Sequence, residues 1–370
     1  MKPTRLIYIA NSRIPTDKAH GIQIVKMCEA FAGAGLEVEL LIPRRKNIIS
    51  EDIFSYYPIK KSFSVRRLFT IDFVGKIPRL GFLLQSITFA YAVRKYLKQQ
   101  PEAIVYSRDI FSLWAIRRLS RKGIYEIHDL PSKLTKRHRT LFRRLVFVAI
   151  SNGLRKALLE MGIEDSRILV APDGIDLELF RASATTEQAR RQLNIPFGQK
   201  IVMYAGHLYR WKGVEILLEA ARNSPEWFFY IIGGTASDVY KYGHLAAEGS
   251  NNIKFIGHRK YQEIPLYLQV ADVLTLPNSG KQTVSRLYTS PLKLFEYLST
   301  SKPILASDLP SIHEVADRFT GVFYFQADDP ISLTTELQKL KYQMKYQRDL
   351  APYSWINRAK NILTFVSQDL

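Results

Sequence analysis

Cysteine is nearly absent: Cys28 stands alone among 370 residues, which excludes an internal disulfide and fits a reducing compartment. It falls within the helix-like IVKMCEAFA and is expected in the core. Long apolar runs are missing too. The longest, LGFLLQSITFAYAV at 80–93, is too short and too polar to span a bilayer. The short apolar stretch in MKPTRLIYIANS reads as a first strand and not as a signal peptide. No aspartate pair has DxD spacing, and no His/Cys cluster has the spacing of metal ligands. Carboxylates are scarce in one half only. Residues 1–172 carry 31 Lys and Arg against 14 Asp and Glu, a net +17, whereas residues 173–370 carry 22 against 20, a net +2. A diphosphate pocket needs only a few cations, so this excess points to an extended anionic surface, membrane headgroups or nucleic acid. Solubility alone is the plain alternative.

What is present is an α/β chain, globular at 46% hydrophobic and 24% charged residues and long enough for two domains. Short apolar runs alternate with helix-like segments: RLIYIAN, EVELLIP, AIVYS, GIYEIHD, VFVAIS and RILVAP, then KIVMYAG, WFFYIIGG, NIKFIG, VLTLP, PILAS and GVFYF. That rhythm predicts two doubly wound, Rossmann-like halves with parallel sheets. The join is expected where Pro172, Asp173 and Gly174 break a strand, giving domains 1–172 and 173–352. A closing helix over 353–370, with Ser354 as its expected cap and a broad apolar stripe, fits a return to the first domain.

The stretch TSPLKLFEYLSTSKPILASD at 289–308 holds the sharpest local pattern. Ser290 reads as a helix N-cap and Pro291 as the first helical residue. The free N–H groups of Leu292 and Lys293 then suit a phosphate, and Glu296 lies one turn deeper on the face of Leu292. The same residues also read as a capped amphipathic helix with one exposed glutamate.

In their order and spacing, GIQIVKMCEAF, EIHD at 126–129, AISNGLRKALLEMGIEDSRILVAPDGID at 149–176, YAGHLYRWKG at 204–213, IIGG at 231–234 and SPLKLFEYLSTSKPILASD resemble the retaining family 4 glycosyltransferases of GT-B architecture. This is the group that includes glycogen synthases and phosphatidylinositol mannosyltransferases. The resemblance covers essentially the whole chain. It implies two Rossmann-like domains facing a central cleft, with the acceptor mainly on the first and the nucleotide-sugar donor mainly on the second. Transfer of a hexose-type sugar would retain configuration, need no metal and use no cofactor beyond the donor substrate.

By the same resemblance Lys212 contacts the donor phosphates, and Glu296 takes the ribose hydroxyls as the second glutamate of an E-x7-E pattern. Tyr288 stands where the first, sugar-facing glutamate is usual, and His207 where an arginine is usual. Arg210 and Lys293 are the cations that would compensate. Gly233 and Gly234 end a strand where a side chain would obstruct the nucleotide, or form a simple turn. Gly21, beside His20, matches the first-loop glycine that approaches the phosphates. His128 matches the histidine near the donor sugar, with Asp129 as the expected partner of its imidazole. With the leaving phosphate taking the acceptor proton, electrostatic support of the leaving group is the main catalytic contribution.

Two basic segments interleaved with apolar residues, 60–82 and 133–147, read as surfaces that meet an anionic membrane or as solvated helix faces. The expectation is a cytoplasmic protein, peripheral on the inner face of a membrane, acting on a glycan or lipid-linked acceptor. Rival readings are a non-hydrolysing nucleotide-sugar epimerase and a non-catalytic sugar-nucleotide binder. Nucleic acid is not expected as a partner, because no reading module for it is present.

Overall fold

The structure, a computed structural model, describes residues 5–369 apart from 101, 118, 120–122, 131–139, 143, 144, 182, 183 and 248. The chain divides into two compact units, Met1–Asp173 with Trp355–Leu370, and Gly174–Ser354.

The first unit is built on seven strands, β1 (Arg5–Ile9), β2 (Glu37–Pro43), β3 (Ser64–Leu68), β4 (Ile104–Ser107), β5 (Gly123–Ile127), β6 (Leu145–Ala149) and β7 (Ile168–Val170). They lie in the order β3-β2-β1-β4-β5-β6-β7. All paired neighbours are parallel, and β1 is the pivot, with Ile7 opposite Glu39 on one side and Val105 on the other. Leu6, Ile7, Tyr8 and Ile9 are all fully buried. A parallel strand covered on both faces reads as a continuous apolar run, which is why RLIYIAN is legible as a strand.

The apolar rhythm does not reveal β3. It is an edge strand whose residues are largely exposed, and its cations belong to the fold. Arg66 donates to Glu39 at 2.6 Å and its guanidinium lies 4.8 Å from the Tyr96 ring centre. Part of the basic segment 60–82 is therefore sheet edge. Most of the second basic segment, with His138, lies outside the described residues, and its last residues, 145–147, belong to β6.

Helix Trp355–Asp369 lies against helix Ala19–Gly33 in this unit, close enough that a Cβ on Gly33 would sit 3.3 Å from Ile356 Cδ1. Cys28 is buried in helix Ala19–Gly33, as its apolar surroundings predict.

The second unit holds β8 (Lys200–Ala205), β9 (Trp227–Ile232), β10 (Ile253–Gly257), β11 (Val273–Leu276), β12 (Ile304–Ser307) and β13 (Val322–Phe325) in the order β10-β9-β8-β11-β12-β13, again all parallel. Ile201, Met203 and Ala205 enter one core and Val202 and Tyr204 the other, the period of two expected of a strand between two layers. In each unit the strand order reverses beside the first strand, at β1/β4 and at β8/β11. Chain leaves there in opposite directions beyond the carboxyl ends, opening the crevice in which such sheets hold ligands.

Candidate active site

In the second unit the crevice end of β8 runs into Gly206 and His207, then through the turn Arg210–Lys212 into helix Val214–Arg222. Two glycines allow this path. Gly213 has φ +75°, and a Cβ there would lie 1.6 Å from the Pro277 carbonyl oxygen, just beyond β11. Gly233, at φ +110°, would place a Cβ 2.2 Å from the Gly206 carbonyl oxygen. The neighbouring strand ends thus approach closely only because neither position carries a side chain. Gly234 is likewise tight against Leu208. A packing demand thus stands behind the IIGG pattern.

Lys293 is the central side chain. Its Nζ is buried without a hydrogen-bond partner and lies 3.9 Å from the centre of the Tyr204 ring. A Cβ on Gly206 would stand 3.1 Å from that Nζ. Tyr204 in turn donates from its hydroxyl to the His207 carbonyl at 2.7 Å, and the His207 ring stacks on Tyr209. Burial first, and then the charge of Lys212, push the Lys293 ammonium well below the usual lysine range. Lys212 lies 3.7 Å from the centre of the Trp211 ring, and burial pushes it down to about 7.

Glu296 is buried, which rules out the exposed-glutamate reading of its helix. Burial raises its carboxyl to about 7, against a hydrogen bond from Tyr261 and the charge of Lys293. Asn278, immediately beyond β11, is fully buried, and neither its amide nitrogen nor its oxygen has a partner among the described residues. Buried polar groups left without partners are costly in a folded chain, and a polar ligand is one way to meet that cost.

The helix that carries Lys293 and Glu296 is Leu292–Leu298, and the residue at its N-cap is Pro291. The start lies one residue later than Ser290 and Pro291 predict, because Pro291 is extended at ψ 114° and its own side chain cannot cap. Ser290 is buried just before it. Leu292 is half-buried, as is Tyr288, which ends a π-helical turn, Val284–Tyr288. Arg210 stands apart from this cluster: its side chain is exposed, and its nearest carboxylate is Glu215 at 4.0 Å. Of the donor-side candidates, the structure brings His207 and Lys293 to Gly206, with Lys212 and Glu296 near enough to act on Lys293 through their charges. Tyr204, which opens YAGHLYRWKG, joins them under Lys293, and Tyr261, outside every quoted motif, joins them at Glu296.

In the first unit the crevice holds a different group. His128 Nε2 lies 2.5 Å from Glu126 Oε1, so the imidazole is oriented by Glu126. The expected partner, Asp129, is exposed and accepts instead from the Leu130 N–H. Glu126 is buried within β5 and also meets Gln23, Tyr106 and Arg358, the last at 3.2 Å. Burial alone would raise its carboxyl; Arg358 and His128 outweigh it and hold the group well below the usual range. Burial and the charge of Arg108 push His128 down to about 4 despite Glu126. At neutral pH the imidazole is therefore neutral, Nε2–H donates to the carboxylate, and Nδ1 is left as an acceptor.

Gly21 does not border open space. A Cβ there would lie 2.3 Å from the Tyr57 hydroxyl and 2.6 Å from Thr16 Cγ2, so its small size is taken up by packing of the first loop.

Two doubly wound parallel sheets, the second with Lys293 and Glu296 buried beyond its switch point, give the fold of the GT-B glycosyltransferases. Residues 21–179 match the model of the family described as Glycosyltransferase Family 4, and residues 185–354 that of Glycosyl transferases group 1; the chain belongs to this group of glycosyltransferases. TuaC of Bacillus subtilis, named as a glycosyltransferase of teichuronic acid biosynthesis, is 26% identical over 311 residues, 75% of this chain and 74% of that protein. A D-inositol 3-phosphate glycosyltransferase of Corynebacterium urealyticum is 26% identical over 220 residues, 54% of this chain, and the match spans only about half, 50%, of that enzyme. Among solved structures, sucrose-phosphate synthase from Thermosynechococcus elongatus superposes with a TM-score of 0.73 at 17% identity over 99% of this chain and 94% of that one. HepE from Anabaena, solved in complex with UDP, gives 0.69 at 15% identity over 99% and 98%.

Proposed function

We propose that the chain transfers a hexose-type sugar, with retention and without a metal ion, from a nucleoside-diphosphate sugar to a glycan or lipid-linked acceptor, as a cytoplasmic protein peripheral on the inner face of a membrane. The observation that carries the donor assignment is Lys293, a buried ammonium with no partner at the carboxyl end of β8, beside Lys212 and Glu296. A diphosphate supplies the charge those lysines lack. Glu296 then accepts from the ribose hydroxyls once Tyr261 yields its place. HepE, solved with UDP and in another crystal with UDP-glucose, is in keeping with such a donor.

In the reaction the bond from the anomeric carbon to the phosphate oxygen breaks, and its electron pair leaves with the diphosphate. The acceptor hydroxyl oxygen bonds to the same carbon on the same face, and its proton passes to the departing phosphate. Lys212 and Lys293 offset the charge that develops there, the kind of fixed electrostatic support that commonly lowers a barrier most. On the first unit, neutral His128 offers Nδ1 as an acceptor for a hydroxyl and moves no proton.

The test is a thermal-shift panel of UDP-, GDP- and ADP-sugars, followed by transfer assays with the donor that stabilises the protein. A donor that stabilises and is turned over only with acceptor present supports the reading. No shift with any donor would overturn it. A shift without turnover would favour the non-catalytic binder, a reading motivated by Tyr288 and His207, and release of a free epimer without acceptor would favour the epimerase.

A further inference from the structure

Helix Pro78–Leu97 is apolar on both sides, with Phe89, Val93 and Leu97 buried against the protein and a second apolar stripe where a surface helix is usually polar. The side turned to the protein carries Gln85 and Ser86, both fully buried, and they bond Asn11: Gln85 Nε2 donates to its carbonyl oxygen at 2.8 Å, and its amide donates to Ser86 Oγ at 3.1 Å. The side turned outward is apolar. Leu80, Leu84, Ile87 and Tyr91 recur at i, i+4, i+7 and i+11, a single stripe about three turns long. Leu80 is 62% exposed, Ile87 53% and Tyr91 70%, and Leu83 is exposed beside them. The preceding loop adds exposed Phe69, Phe73 and Ile77. That loop is pressed to the helix at Gly81, where a Cβ would meet the Phe73 carbonyl oxygen at 2.5 Å.

Charge decides what covers this face. Residues 73–101 contain Lys76 and Arg79 at the start of the stripe and Arg94, Lys95 and Lys98 at its end, and no Asp or Glu. A second copy of the same face would set cations against cations. A bilayer with anionic headgroups offers apolar depth under the stripe and negative charge at both ends. The helix lacks the apolar length to cross, and no helix of the described residues is long and apolar enough to do so.

We propose that the outward stripe of helix Pro78–Leu97 is a membrane-docking surface that lies in the headgroup region of a bilayer containing anionic lipid. The proposal rests on the peripheral-membrane part of the proposed function and extends the contact from segment 60–82 along the helix to Tyr91. Its readout is vesicle binding and not sugar transfer, so its failure leaves the donor assignment standing.

The experiment is co-sedimentation of the whole chain with vesicles of phosphatidylcholine alone and of phosphatidylcholine mixed with phosphatidylglycerol. Binding is expected to the mixed vesicles, to weaken in high salt, and to fall by at least about tenfold in Leu84→Glu/Ile87→Glu. Both substituted residues are exposed, and unchanged circular dichroism and UDP binding would show that the variant is folded. The variant Lys95→Ala/Lys98→Ala is expected to lose mainly the salt-sensitive share. Absence of binding to mixed vesicles would overturn the proposal, as would binding that the double glutamate variant leaves intact. A concentration-dependent dimer in sedimentation velocity that the double glutamate variant dissolves would also overturn it, because a second copy would then cover the face.

Discussion

Lys293 holds an ammonium where water does not reach it, and the consequences at that position run in opposite directions for stability and for binding. Removing a buried charge that has no partner relieves desolvation, whereas removing a charged contact to a ligand costs about 1.5–3 kcal/mol. Lys293→Met is therefore expected to melt at the wild-type temperature or above, while UDP binds about 10- to 100-fold more weakly; a variant that melts lower with UDP affinity intact would contradict this role. Protonation makes the same residues sensitive to pH. Lys212 is held at about 7, so near pH 8 it favours the neutral form until a diphosphate restores its charge, and burial pushes Lys293 in the same direction. Nucleoside-diphosphate binding should then take up protons, weaken as pH rises past about 7, and do both less in Lys212→Met, as calorimetry in buffers of different ionisation enthalpy would read. In the first unit the linkage concerns stability. Glu126 is held low, so its contribution is whole above the ordinary carboxyl range and is lost as pH falls; His128, held at about 4, is left neutral while the unfolded chain takes up a proton below about 6.5. Both make the first unit more labile in acid.

At the level of elements, the parallel strands are legible because burial on both faces writes them as unbroken apolar runs, and the loops at their carboxyl ends are legible because glycine and charge interrupt those runs. β3 escapes that logic as an exposed edge with two arginines. Glu126 opens EIHD and so is marked, but an acid inside the run GIYEI does not announce its partners, and Gln23 and Arg358 are distant in sequence. The support that Tyr261 gives Glu296 is hidden for the same reason, whereas Tyr204, Lys212 and Glu296 lie within their motifs. The boundary of the helix at 292 is displaced from the Ser-Pro signal because a proline at the cap position stays extended. Arg358 joins two elements most firmly, linking helix Trp355–Asp369 to β5 through Glu126 and to the end of β7 through the Ala171 and Pro172 carbonyls at 3.0 and 2.8 Å. Arg358→Met would leave Glu126 buried without its guanidinium, and a loss of about 3–5 kcal/mol in denaturant unfolding is expected. An unchanged midpoint would show that Tyr106, Gln23 and His128 suffice.

On the scale of the whole molecule, charge and connectivity divide the chain differently from length. The basic half is the unit with the outward apolar helix, and the nearly neutral half is the unit with the lysine pair. The first unit is completed by residues 355–369, which come after the entire second unit. Ending the chain after Ser354 should strip helix Ala19–Gly33 of its neighbour and destabilise the first unit, while binding of the proposed nucleoside-diphosphate donor to Gly174–Ser354 persists. Hydrogen exchange would read both, with faster exchange in β1 and β5 and unchanged protection by UDP at 204–213. Loss of UDP protection on the same truncation would mean that the second unit does not stand alone.

The position of Arg358 also sets an order of events during synthesis. β5, with Glu126 inside it, leaves the ribosome more than two hundred residues before the guanidinium that neutralises it, the separation being 232. Until then the nascent first unit holds an acid that cannot be buried with its ionic partner, whereas every strand of the second unit is already made. The unit translated first is thus the one that closes last, and chaperone contacts on the growing chain should concentrate on the amino-terminal sheet.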